Sequence, residues 1–146
     1  MLSSRTPLLP LTLFLRSLSP QVDGVAKSDF DQRDIGISIG NFLDHIVTSG
    51  LCSKECYVIA LIYGERMLQL DDGFRITRRN VHRLMLVSLL LASKMLDDFY
   101  CRNMYYATAG GITLEALNAL ELKMCFMMVR RPAFCCPSST FLPPFF

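Results

Sequence analysis

The sequence predicts an all-α domain, and three observations carry that prediction. Apolar residues recur at intervals of three and four through four long stretches. Three of those stretches open with a hydroxyl residue set between two apolar ones. Nowhere does the period-two alternation of a half-buried strand compete with this spacing. The chain has 146 residues, room for one domain with a sizeable core.

The elements follow in order. Residues 1–34 hold Pro7, Pro10, Pro20 and Gly24 with weak periodicity, and read as a leader with one short helix around 11–18. Helical spacing starts with Ile39, Phe42, Leu43 and Ile46, and Gly50 stops this first helix. A second helix over 53–70 carries Val58, Leu61, Ile62 and Leu68, interrupted on that side by Glu65 and closed by Asp71, Asp72 and Gly73. The third, about 78–96, is apolar nearly all round between Leu84 and Ala92, as a helix surrounded by others must be. A short fourth segment, 104–109, ends at Gly110 and Gly111, which permit the left-handed turn that closes a helix. The fifth, 114–128, bears the stripe Leu117, Leu120, Met124, Met127 and Met128. Beyond Arg130, proline density forbids further helix, so 131–146 is read as an irregular Pro- and Phe-rich tail and 35–130 as the domain.

The hydroxyl openings are Ile37, Ser38, Phe42; Ile76, Thr77, Val81; and Ile112, Thr113, Leu117. In each, the hydroxyl is expected to accept a bond from an orphan backbone N–H while the apolar pair clamps the angle at which the chain enters the helix.

Composition narrows the function. Apolar residues form 51% of the chain and charged ones 19%, so some apolar surface is expected to meet a partner. The net charge of +2 comes from scattered Lys and Arg, with no basic stripe to track phosphates, and nucleic acid is not favoured. The longest apolar runs, 84–91 and 11–15, are interrupted by Ser88 and Thr12 and fall short of the roughly 20 residues of a membrane span. A signal-like stretch after Arg5 is broken by Pro10 and lacks a small-residue cleavage site. Of six cysteines, Cys52, Cys56, Cys101 and Cys125 sit in or beside apolar helical stretches, which favours free thiols and a reduced setting, cytoplasmic or nuclear. No CxxC pair exists and His45 and His82 are not spaced with any Cys as zinc ligands, so neither metal nor cofactor is expected. Asp97 and Asp98 read as a solvated helix end rather than an acid–base pair, and Arg78, Arg79 and Arg83 as a solvated face. Nothing in the sequence supports an enzyme.

Four motifs in order carry a resemblance. They are Asn80-Val81-His82-Arg83-Leu84; Leu91-Ala92-Ser93-Lys94-Met95-Leu96-Asp97-Asp98; Asn103-Met104-Tyr105-Tyr106-Ala107 with Gly110-Gly111-Ile112; and Leu117-Asn118-Ala119-Leu120-Glu121. Their order and spacing across 37–128 resemble the P/U-type, phosphate-regulatory cyclins, specific in combination though not singly. The resemblance implies a single five-helix cyclin box, a regulatory subunit that binds and activates a cyclin-dependent protein kinase in nutrient or phosphate signalling or the cell cycle. It implies that the polar pair at the kinase interface falls on Lys94 and Glu121. The residues agree, because Glu121 lies within the arc of Leu117, Met124 and Met128, where a carboxylate calls for a partner. Lys94 has a second explanation, as a cation complementing the end of its helix dipole.

An outward platform of Leu86, Leu90, Lys94, Leu117, Glu121, Met124 and Met128 is expected to meet the kinase, although such a stripe would equally serve as core. The sequence departs from the family in two places. The ion pair that braces such boxes falls on His45 and Glu65, both altered residue types, and these are expected to approach each other. At Val129-Arg130-Arg131-Pro132 the fifth helix breaks where the family continues, which leaves open a box that binds a kinase or another helical partner without activating it.

Overall fold

The protein, seen in a computed structural model, is described over residues 29–31, 36–70 and 74–130. Five helices follow one another: α1 (Ile39–Thr48), α2 (Glu55–Leu70), α3 (Val81–Leu96), α4 (Asn103–Gly110) and α5 (Leu114–Arg130). Among the described residues there is no strand, and the all-helical, five-helix architecture matches a cyclin box. The short helix expected at 11–18 and the tail at 131–146 lie outside the described residues.

Helix α3 touches all four others and pairs most extensively with α2. Its Leu84, Leu86, Leu89 and Leu90 are fully or almost fully buried. Each such side chain contributes about 1.5–3 kcal/mol of burial, so the all-round apolar segment is the largest single source of core stability. Helix α5 turns Leu117, Leu120 and Met124 inward onto this core, and Tyr106 of α4 donates from its buried hydroxyl to the carbonyl of Leu51 between α1 and α2 (3.0 Å).

Two of the three hydroxyl openings form as expected. Ser38 Oγ accepts from Asn41 N–H and Thr113 Oγ1 from Ala116 N–H, both at 3.2 Å. The third is corrected. α3 starts at Val81, and Thr77 Oγ1 is buried without a partner among the described residues. Asn80 takes over that corner: its Oδ1 accepts from Thr77 N–H and its Nδ2 donates to the carbonyl of Arg75, both at 2.8 Å. The planar amide spans the two backbone groups at once, accepting at one end and donating from the other, and so closes the turn.

The motif around Asn80 thus has a mechanical meaning. His82 is buried, its Nε2 lies 2.9 Å from the carbonyl of Ile37, and its ring meets Phe42 edge-on at 5.2 Å. Arg83 donates from Nη1 to the carbonyl of Asp31 (3.1 Å). Together these residues fasten the chain before α1 to the start of α3. Phe30, inside the segment read as leader, is 0% exposed and packs edge-on against Phe74 at 5.8 Å, while Asp29 pairs with Lys123 of α5. The packed unit therefore begins ahead of residue 35, a correction to the boundary drawn from periodicity. A lone aromatic among polar residues carries no periodic signal.

The two adjacent glycines serve different ends. Gly111 has φ +64°, and the chain closes α4 with Gly111 N–H bonded to Thr108 O (3.2 Å) and Ile112 N–H to Ala107 O (3.0 Å), a Schellman motif. Gly110 instead lets α4 lie against α3 at Leu86, which leaves no room for a β-carbon.

Candidate partner interface

Lys94, in the last turn of α3, and Glu121, midway along α5, face each other with Nζ 2.5 Å from Oε1. Their side chains are 30% and 15% exposed, so the pair lies at the surface with the carboxylate the deeper member. Glu121 is held from a second side by Asn103, the first residue of α4, whose Nδ2 donates to Oε2 at 2.7 Å. The same Nδ2 donates to Asn118 Oδ1, one turn before Glu121, also at 2.7 Å. Three helix segments thus converge on one carboxylate, which uses both its oxygens as acceptors.

Cys125 follows Glu121 by four residues and is half-buried. Burial pushes its thiol up, the Glu121 charge adds to this, and Lys94 pulls the other way. The thiol is therefore an apolar filler beside the pair.

Around the pair the surface is apolar. Met95 and Leu96 follow Lys94; Phe99, 97% exposed, and Tyr100 occupy the connection to α4; Met104 and Tyr105 project from α4. On α5 the exposed arc runs Leu114, Asn118, Leu122, Phe126 and Val129, spaced as one helix face, with Glu121 at its margin. Isolated exposed apolar residues are ordinary, but a grouping on adjacent elements around a fixed ion pair has the make-up of an interface.

The structure brings Lys94 and Glu121 together as the sequence predicts. The remainder of the expected platform is corrected. Leu86, Leu90, Leu117 and Met124 are at most 1% exposed and belong to the core, and Met128 is half-buried against it. Apolar spacing locates the stronger stripe of α5, and that stripe faces inward; the outer arc has the same helical spacing but is diluted by Asn118. Asn103 and Asn118 were present in the motifs but carried no signal of their role, since their value lies in a contact between helices.

The pair expected between His45 and Glu65 is not formed. Both side chains are exposed, and the ion pairs among the described residues are Lys94–Glu121 and Lys123–Asp29. His45 works through its backbone, its carbonyl accepting from the hydroxyls of Thr48 (3.0 Å) and Ser49 (2.8 Å) at the end of α1.

Asp97 is also more than a solvated acid. Its Oδ2 accepts from Ser53 N–H (3.2 Å) and from the Cys56 thiol (3.4 Å), joining the end of α3 to the start of α2. Among the described residues no three His, Cys, Asp or Glu side chains group as metal ligands, and no helix is long and apolar enough to cross a membrane. The four described cysteines are free.

The five helices in this order have the architecture of a cyclin box. The family model described as Cyclin matches residues 18–129, and the chain belongs to that family. The match starts inside the segment read as a leader, in keeping with the burial of Phe30. The chain is 38% identical over 114 residues to Cyclin-U2-2 of Arabidopsis thaliana, covering 77% of this chain and 50% of that protein. It is 41% identical over 90 residues to Cyclin-U4-2 of the same plant, covering 62% and 42%. With Cyclin-P4-1 of Oryza sativa subsp. japonica it shares 42% over 90 residues, again 62% and 42%. These relatives support a P/U-type cyclin with a single cyclin box. The chain spans half or less of the length of these three relatives.

Proposed function

We propose that the chain is a regulatory subunit that docks on a cyclin-dependent protein kinase through Lys94, Glu121 and the apolar residues around them, and activates it. The observation that carries this reading is the Lys94–Glu121 pair, fixed from a third side by Asn103 and ringed by exposed Met95, Leu96, Leu122 and Phe126. A protein kinase is active when its strand lysine pairs with the glutamate of its mobile αC helix. A surface that binds that helix better in the paired position shifts the population towards it without chemistry of its own. The setting is cytoplasmic and/or nuclear, as the cysteines in apolar helical stretches favour, and the context is phosphate or nutrient signalling or the cell cycle, as the family resemblance implies.

The test uses the full chain and a panel of purified plant cyclin-dependent kinase catalytic subunits. Affinity and phosphotransfer are measured for each, with the wild type and Lys94→Met. An exposed ion pair is worth about 0.2–1 kcal/mol to folding, whereas removing one member of a desolvated interfacial pair costs about 2–5 kcal/mol. Lys94→Met is therefore expected to lose about 1 kcal/mol of folding stability at pH 7 and to bind about 30-fold or more weakly. Binding with no gain in phosphotransfer would replace activation by docking alone, and no binding across the panel would refute the proposal.

A further inference from the structure

The hydrogen-bond chain at the candidate interface has a direction. Lys94 can only donate, so Glu121 accepts at Oε1. A carboxylate that accepts at Oε2 as well must face the Nδ2 of Asn103, and that NH₂ group has two hydrogens. The second hydrogen points at Asn118, so the Asn118 atom 2.7 Å away is the acceptor Oδ1. The planar amide of Asn118 is thereby oriented, with Nδ2 on the side turned away from Asn103. Asn118 is exposed, and no described residue accepts from its Nδ2. It stands in the outer arc of α5 between Leu114 and Leu122, two exposed apolar side chains.

We propose that Asn118 is a specificity-determining residue of this interface, donating from Nδ2 to a backbone carbonyl oxygen of the bound kinase. The inference rests on the kinase-docking reading above and adds the polarity of the contact. Each oxygen of Glu121 already accepts one bond within the chain, while Lys94 keeps N–H donors beyond the one given to Glu121 and Asn118 keeps its NH₂ group. The surface therefore offers donors. Lys94 and Glu121 together are neutral, so a neutral acceptor fits better than a second carboxylate, which would sit beside Glu121. A kinase segment whose backbone carbonyls are turned outward, as at the end of a helix or in an open loop, has the matching chemistry.

Asn118→Asp tests this. The variant keeps an oxygen for Asn103 and turns an acceptor towards the partner where a donor stood; its charge stands one turn from Glu121, so a small like-charge cost to folding is expected as well. The probe is the catalytic subunit from the panel that binds the wild type most tightly, with Lys94→Met measured alongside and the melting temperature of each variant recorded. The expected result is a melting temperature lowered by no more than about 4 °C and a roughly ten-fold or larger loss of affinity for Asn118→Asp, with Lys94→Met also weakened. If Asn118→Asp binds like the wild type while Lys94→Met is weakened, the role of Asn118 is refuted and the docking reading stands. If neither variant loses affinity, the docking reading fails and this inference with it. A melting temperature that falls further than this with Asn118→Asp would make the residue structural and would also overturn the proposal.

Discussion

Gly110 of α4 lies directly over the side chain of Leu86 of α3. A β-carbon at Gly110 would be driven into Leu86 Cδ2 and would stand 3.3 Å from its Cγ and Cδ1. Leu86 is 1% exposed and has nowhere to go. Overpacking costs about 1–3 kcal/mol, against at most about 1 kcal/mol gained by replacing a helical glycine with alanine. Gly110→Ala is expected to lower stability in urea by about 1–2 kcal/mol. At Gly111, where φ is +64° and no described atom crowds the site, alanine costs about 1–2 kcal/mol through backbone strain alone.

Gly64 gives the opposite expectation. It lies inside α2, with no described atom within 4 Å of where a β-carbon would stand. Alanine there removes conformational freedom from the unfolded chain and adds helix propensity. Gly64→Ala is expected to raise stability by about 0.5–1 kcal/mol, read as a higher denaturant midpoint at unchanged slope.

The link from Asp97 to α2 predicts a pH effect. Burial opposes ionisation of Asp97, but the bonds from Ser53 and Cys56 outweigh it and hold the carboxyl below its ordinary 3.8. A carboxyl with a depressed folded value stabilises the fold above its unfolded value, and that contribution is lost as pH falls through the folded one. Asp97→Asn is expected to be less stable than the wild type at pH 7, and the gap should close below pH 3.8. A gap that persists unchanged to the acid limit would contradict the assignment.

Burial pushes the Cys52 thiol from 9.0 up to about 11, with the neighbouring Cys56 adding to it. Since the thiolate is the reacting form, and the more basic thiolate is the better nucleophile, labelling of Cys52 by a disulfide reagent at pH 8 should be roughly 10-fold slower in the folded chain than in urea. Mapping of labelled peptides over time checks this.

His82 supports a further expectation. The Ile37 carbonyl only accepts, so Nε2 carries the proton in this contact. His82→Ala removes that bond and the edge contact with Phe42, for an expected loss of about 2–4 kcal/mol measured by chemical denaturation.

What the sequence disclosed follows from the range of the forces involved. Helix spacing and the caps at Ser38 and Thr113 are local, and both were readable within a few residues. Lys94 and Glu121 were paired by the family resemblance, and the position of Glu121 in an apolar arc agreed with it, since a carboxylate there needs a counter-charge. Periodicity could not say whether the Leu117–Met124 stripe faces core or partner, since both are apolar; burial of Leu86 beneath Gly110 and of Leu117 within the bundle decides for the core. The roles of Asn80 and Asn103 depend on a second contact for the same amide, and the fold alone brings the two together. His45 and Glu65 were paired by analogy, and both side chains meet water instead.

The wedge made by Phe30 against Phe74, with Asp31 fastened to Arg83, sets a lower limit on how much chain can stand by itself. A fragment cut at the opening residue of α1 would strip Phe30 from Phe74 and expose apolar surface that the longer chain keeps covered.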